Sequence, residues 1–182
     1  ACPLLAVLLW SANTVVSKMT VGVIFPAEVG FYRWLFAGVL FTPFILGAVL
    51  RNWRAIGPHL FKIIVLGVLG MVIYQSLAYF AAPKTSATHM GIILSLMPMM
   101  SLGMAIVALG QRLTLGAIFG AVCSFLGVLL VVSHGDLRNL MQQGINLGDA
   151  MMLIATLAYA LYGTLLKYWQ MEIPALQLLY LQ

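Results

Sequence analysis

The sequence predicts an all-α membrane protein: a polytopic helical bundle built from inverted five-helix repeats, with the second repeat truncated in this chain. Three observations lead there. First, the 182 residues are 63% hydrophobic and only 7% charged, whereas a water-soluble domain carries roughly 25% charged residues. A chain so poor in polar side chains cannot cover itself with a hydrated surface. Second, the apolar residues fall into runs of the ~20 residues that a helix needs to cross a bilayer, near 3–24, 28–50, 59–82, 87–109, 113–133 and 148–168. Third, the sixth run repeats features of the first, and an odd offset of five spans inverts the second copy in the membrane.

The first span is read as a membrane helix and not as a cleavable signal, because Trp10-Ser11-Ala12-Asn13-Thr14 interrupts its centre and Lys18 follows; a signal peptide wants a purely apolar core and a small-residue cleavage site. Asn13 falls near mid-depth, where an unpaired amide is expensive. It either contacts a solute or hydrogen-bonds to another helix. The second span opens at Glu28 and carries Arg33, at a depth similar to that of Lys18. These three residues either snorkel to the interface around a shared carboxylate or form a gate network. The 51–58 loop, with Arg51 and Arg54, then leads to the third span. There Gln75 and Tyr79 lie four positions apart and so share one helical face, suited either to lining a cavity or to simple packing.

The fourth span begins after the 83–86 connection. His89 stands at its entrance, a proton-coupling residue or a solvated interfacial histidine. Pro98 removes an N–H and frees a carbonyl one turn back, near Leu94; such breaks in transporters tend to mark cavities or hinges. Gly110 and Arg112 are expected to make a tight hairpin to the fifth span, whose Gly116, Gly120 and Ser124 form a small-residue stripe for close helix contact. A 134–147 connection leads to the sixth span, with Tyr159 and Tyr162 at its centre. A further apolar stretch starts at Ala175 and stops at Gln182, too short to cross a bilayer. With Ala1 at the start, this is expected to be part of a longer protein. The domain organisation is accordingly 1–133, a first repeat; 134–147, an external loop; and 148–182, the opening of a second.

The repeat rests on spacing. Trp10 and Tyr159 each precede a lysine by eight positions, Lys18 and Lys167. Phe25-Pro26-Ala27 is matched by Ile173-Pro174-Ala175, and Tyr32 and Tyr180 each follow their alanine by five. In inverted-repeat transporters substrate binds near the midplane between the halves, so Trp10, Asn13, Gln75, Tyr79, Tyr159 and Tyr162 are the expected substrate-binding set. Lys18, Glu28, Arg33, His89 and Pro98 are the expected gating and charge set. The first set offers aromatic faces with sparse amides and phenols, suited to a neutral or zwitterionic solute. Lys/Arg asymmetry places the 51–58 and 110–112 loops in the cytoplasm and the 83–86 and 134–147 loops outside.

Other classes fit less well. The net charge of +5 is scattered, so no nucleic-acid surface is indicated. Cys2 and Cys123 form no framework, and Cys123 reads as a buried thiol in an apolar run. No metal-spaced cluster, phosphate loop or paired carboxylates in a span suggest an enzyme, a metal or a cofactor. A channel would want a ring of filter groups. A non-transporting assembly protein remains the alternative that glycine stripes alone would serve.

Leu9-Trp10-Ser11-Ala12-Asn13, Phe31-Tyr32-Arg33-Trp34, Ser95-Leu96-Met97-Pro98, Leu109-Gly110-Gln111-Arg112-Leu113, Gly120 and Gly127-Val128 resemble, in order and spacing, the EamA-type repeat of the drug/metabolite transporter superfamily. Gln111 departs from the family's usual glutamate and removes a charge beside Arg112. The resemblance implies ten spans in two inverted halves and alternating-access export of small metabolites across the inner (cytoplasmic) membrane. The solutes implied are amino acids, aromatic or other neutral ones, and related drug-like molecules. The aromatic pattern is similar to that of amino-acid exporters of the YddG kind; nucleotide-sugar or other metabolite exchange is the alternative within the superfamily. The partners expected are the small-molecule substrate, the lipid bilayer, a proton or counter-substrate, and the missing second half.

Overall fold

In hydrocarbon every peptide N–H and C=O must be satisfied within the protein, which leaves helices as the spanning form for a chain patterned like this one. The computed structural model describes residues 25–110, 114–132 and 146–182, together with Leu5, Leu8, Ala12, Met19 and Gly22. Among the described residues there is helix and no strand. Four of the described segments are long and apolar enough to cross a membrane: Ala27–Arg51, Trp53–Ala81, Ala87–Leu109 and Leu147–Trp169.

Helix α1 (Pro26–Arg51) starts on a proline, whose missing N–H costs nothing in a first turn. Glu28 accepts the Phe25 N–H at 3.4 Å. Asn52 alone separates α1 from α2 (Trp53–Ile56). A 3-10 turn (Gly57–His59), α3 (Leu60–Gly67), a π-helical stretch (Val68–Ile73) and α4 (Tyr74–Ala81) then follow without a gap. The connection expected over 51–58 therefore narrows to one residue. Gly57-Pro58 reads as a break because proline crowds the residue before it, but glycine has no Cβ to crowd and takes helical angles here (φ −49, ψ −49).

The fourth span is two helices, α5 (Ala87–Ser95) and α6 (Met97–Leu109), parted at Leu96. Pro98 lies in the first turn of α6. Gly110 caps α6 with φ +61, the left-handed conformation glycine adopts without penalty; Gln111 and Arg112, also expected in that hairpin, lie outside the described residues. Helix α7 (Leu115–Val132) lies where the fifth span was expected and α8 (Leu147–Trp169) where the sixth was; α9 (Ala175–Leu181) follows. Around Gly116 and Gly120 there is nothing within 4 Å of where a Cβ would sit, and Cys123 is exposed, not buried.

Helix α8 is the centre of the bundle. It packs against α4, α6, α5, the π stretch and α3, while α1 packs on α4 and α9, and α7 on α5. Its inward positions explain this. Gly148, Ala155, Thr156, Ala158, Ala160 and Thr164 are buried, and small residues let helix backbones approach. The two threonines satisfy their hydroxyls internally, Thr156 to Met152 O at 2.8 Å and Thr164 to Ala160 O at 2.9 Å. The outward faces are as apolar as the inward ones: Val107 is 89% exposed and Phe44 78%. Such a surface is matched by lipid and not by water.

Candidate functional site

A π-helical turn carries one more residue than an α-turn and is frequent at functional positions. In the third span Val68–Ile73 precedes the polar run Tyr74-Gln75-Ser76. On one side of this span lies a cavity of about 560 Å³, walled by Phe31, Trp34, Gly38 and Phe41 of α1, by Met71 and Val72 of the π stretch, by Gln75, Ser76, Tyr79 and Phe80 of α4, and by Leu176, Leu179, Tyr180 and Gln182. Its walls are mostly aromatic and aliphatic, with a few amides and hydroxyls to orient a guest, the usual make-up of a small-molecule site. A second hollow of about 200 Å³ between α6 and α7 is lined by Met99, Leu102, Gly103, Ile106, Ile118, Ala121 and Val122 and has no polar side chain to orient anything.

The polar groups at the cavity are held in place. Arg33 Nη1 donates to the Tyr79 hydroxyl at 2.8 Å, and the Arg33 guanidinium lies 5.6 Å from the Trp34 ring centroid. An arginine N–H can only donate, so the Tyr79 oxygen is the acceptor and its own proton stays available to a second partner. The Thr42 hydroxyl bonds to Gly38 O at 2.6 Å and meets the Tyr180 hydroxyl at 2.8 Å. Asn52 Nδ2 donates to Gln177 Oε1 at 3.0 Å. These last contacts tie α9 to α1 and close one wall.

Tyr159 and Tyr162 sit elsewhere, on the α8 face that packs against the third span. Tyr74 and Tyr159 have ring centroids 4.6 Å apart, and Tyr159 and Tyr162 5.4 Å. The Tyr162 ring rests on Gly70, where a Cβ would lie only 2.9 Å from its Cδ2. The Tyr162 hydroxyl donates to Gln182 Oε1 at 3.0 Å, and Gln182 is itself part of the cavity wall. Of the six residues expected to bind substrate, Gln75 and Tyr79 share the cavity. Tyr159 and Tyr162 form an aromatic group that reaches it through Gln182, and Trp10 and Asn13 lie outside the described residues.

The expected charge set also divides. Lys18 lies outside the described residues. Glu28 is exposed and caps α1, whereas Arg33 turns to Tyr79. Pro98 follows the break at Leu96, beside which the Ser95 hydroxyl bonds to Ile92 O at 2.6 Å. His89 pairs with Asp149, Nδ1 to Oδ2 at 2.9 Å, while the Thr85 hydroxyl donates to Asp149 Oδ1. Asp149 also accepts the Asn146 N–H at 3.1 Å, and Asn146 Oδ1 accepts the Asp149 N–H at 3.0 Å, a reciprocal cap on α8. Asp149 was not singled out from sequence. Its signal was available in Asn146-x-x-Asp149, a cap pattern just ahead of an apolar run, but nothing in that pattern points to His89. Among the described residues no group of three His, Cys, Asp or Glu side chains could hold a metal ion.

Comparison with known proteins agrees with this architecture. The sequence profile of the EamA-like transporter family matches residues 2–133. "Uncharacterized transporter YyaM" of Bacillus subtilis (strain 168) is 27% identical over 155 residues, covering 82% of this chain and 49% of that protein. An "uncharacterized transporter" of Archaeoglobus fulgidus is 26% identical over 160 residues, covering 88% of this chain and 54% of that protein. The chain thus spans about half the length of the curated relatives it matches. No solved structure matches it.

Proposed function

Because this chain belongs to the EamA-like transporter family, multi-pass membrane transporters of the drug/metabolite superfamily, we propose that it supplies one half of a secondary transporter that exports small neutral or zwitterionic solutes by alternating access. Neutral amino acids, aromatic ones included, are the solute class that suits the walls. The single observation that carries the reading is the cavity of about 560 Å³ between α1, the third span and α9. Its aromatic walls fit an apolar side chain, and Gln75, Ser76 and the Arg33-bound Tyr79 hydroxyl offer donors and acceptors to a polar head group. The second repeat, oppositely oriented, would complete the site in the full-length protein. The break at Leu96 ahead of Pro98 gives the fourth span a point about which one half rocks against the other.

The test is efflux and counterflow in proteoliposomes holding the full-length protein, with radiolabelled neutral, acidic and basic amino acids. The reading requires saturable transport of a neutral amino acid that weakens at least tenfold in Tyr79→Ala while the variant still inserts. Passive leak with every solute would refute it.

A further inference from the structure

The cavity leaves one polar cluster unused. His89 and Asp149 each occupy the first turn of a spanning helix, α5 and α8. Their side chains are only 12% and 10% exposed and lie 2.9 Å apart. The surroundings are built around them. Thr85 donates to the other carboxylate oxygen, Ser86 Oγ accepts the His89 N–H at 3.1 Å, and the Asn146 N–H reaches Asp149 at 3.1 Å. Gly148 brings α8 so near the preceding turn that a Cβ would stand 2.9 Å from Lys84 C, Thr85 N and Thr85 Cβ. The fourth and sixth spans are thus joined at their starts by a titratable pair, in a bilayer protein where ionisable groups inside spans mark ion and proton paths.

We propose that Thr85, His89 and Asp149 form a proton-binding clasp: the His89 Nδ1–H stays on the Asp149 carboxylate, and the proton taken up or released at Nε2 sets how firmly the start of the fourth span is joined to the start of the sixth. A 2.9 Å contact between an imidazole nitrogen and a carboxylate oxygen requires a hydrogen between them. When the ring carries both protons the pair is neutral overall and its hydrogen bond is charge-assisted. When it gives one up, Nδ1–H still donates to the ionised carboxylate, but the ion pair is lost and the clasp keeps a net negative charge with little access to water. Acid therefore tightens the joint and base loosens it. Among the described residues α6 and α7, the other helices packed on α5, carry no acidic or basic side chain, and both Lys84 and Cys123 are exposed. Thr85 and the Asn146 N–H fix the carboxylate and do not titrate. The clasp goes beyond the solute cavity and rests on the transporter reading only for its consequence, that proton binding at this joint biases which conformation the helices adopt.

The test uses full-length protein in nanodiscs, with Cys2 and Cys123 replaced by serine and spin labels at Ala87 and Ala150, both exposed and flanking the pair. Dipolar broadening is followed between about pH 5 and 9, the range in which histidine ordinarily titrates. The clasp requires strong broadening at acid pH that falls through one transition as pH rises, with His89→Gln and Asp149→Asn abolishing it. Asp149→Asn keeps an acceptor for Thr85 and for the helix cap, so its loss of pH response is not a loss of fold. A pH-independent spectrum in the parent protein overturns the proposal without need of any variant, and so does a transition that survives His89→Gln. Transport measured with the same purified protein in proteoliposomes separates the two readings: a protein that moves no solute at any pH overturns the transporter reading and leaves the clasp standing on its spectra.

Discussion

Replacing Gly148 with alanine adds one methyl group where α8 meets the turn that precedes α5. The new carbon would lie 2.9 Å from Lys84 C, Thr85 N and Thr85 Cβ. Carbon atoms prefer about 3.5–4.0 Å, so α8 must retreat by roughly 0.6–1 Å, and two of the three obstructing atoms are backbone that cannot rotate away. Overpacking of this kind costs about 1–3 kcal/mol. The same retreat stretches the His89–Asp149 contact from 2.9 Å beyond hydrogen-bond reach, and a hydrogen bond to a charged group contributes about 1.5–3 kcal/mol. Alanine returns up to about 1 kcal/mol through helix propensity. The balance is a loss of about 1.5–5 kcal/mol. The assay is equilibrium unfolding of the full-length protein in mixed micelles, with Gly163→Ala as the control. Gly163 lies on the same helix and has nothing within 4 Å of its would-be Cβ, so that change is expected to be neutral or slightly stabilising. Gly148→Ala as stable as Gly163→Ala would refute the reasoning.

Three further outcomes are expected. Gly70→Ala pushes a methyl into the Tyr162 ring and is expected to cost about 1–3 kcal/mol; combined with Tyr162→Leu the loss should be less than additive by at least about 0.5 kcal/mol, measured by the same unfolding assay in a double-mutant cycle. Tyr79→Phe removes the acceptor that Arg33 uses; a destabilisation of about 1–3 kcal/mol and a weaker apparent affinity in proteoliposome transport are expected, and unchanged values for both would place Tyr79 outside the site. A single cysteine at position 52 should react with an impermeant thiol reagent only in opened cells, and one at position 84 in intact cells, in a background without the native cysteines; the reverse pattern would invert the topology drawn from Lys/Arg asymmetry.

The helical spans and the membrane itself were legible in the sequence, because hydrocarbon demands long apolar segments with internally satisfied backbones. Ala87–Leu109 and Leu147–Trp169 fall within a residue of the runs read from hydropathy. The break before Pro98 and the left-handed cap at Gly110 were legible for a local reason: proline lacks an N–H and glycine lacks a Cβ wherever they stand. The one-residue connection at Asn52 and the π stretch at Val68–Ile73 were not, since neither leaves a compositional mark in an apolar run. Side-chain partnerships were least legible. In a soluble helix the polar stripe tells which face looks inward, but here lipid and core are equally apolar, so no pattern could say that Tyr159 and Tyr162 turn toward Tyr74 and Gly70 while Gln75 and Tyr79 line the cavity. Arg33 with Tyr79 and His89 with Asp149 join residues 46 and 60 positions apart. Only the tertiary packing of α1 on α4 and of α8 on α5 brings such distant groups within hydrogen-bond range, and once there, the scarcity of water obliges them to find each other.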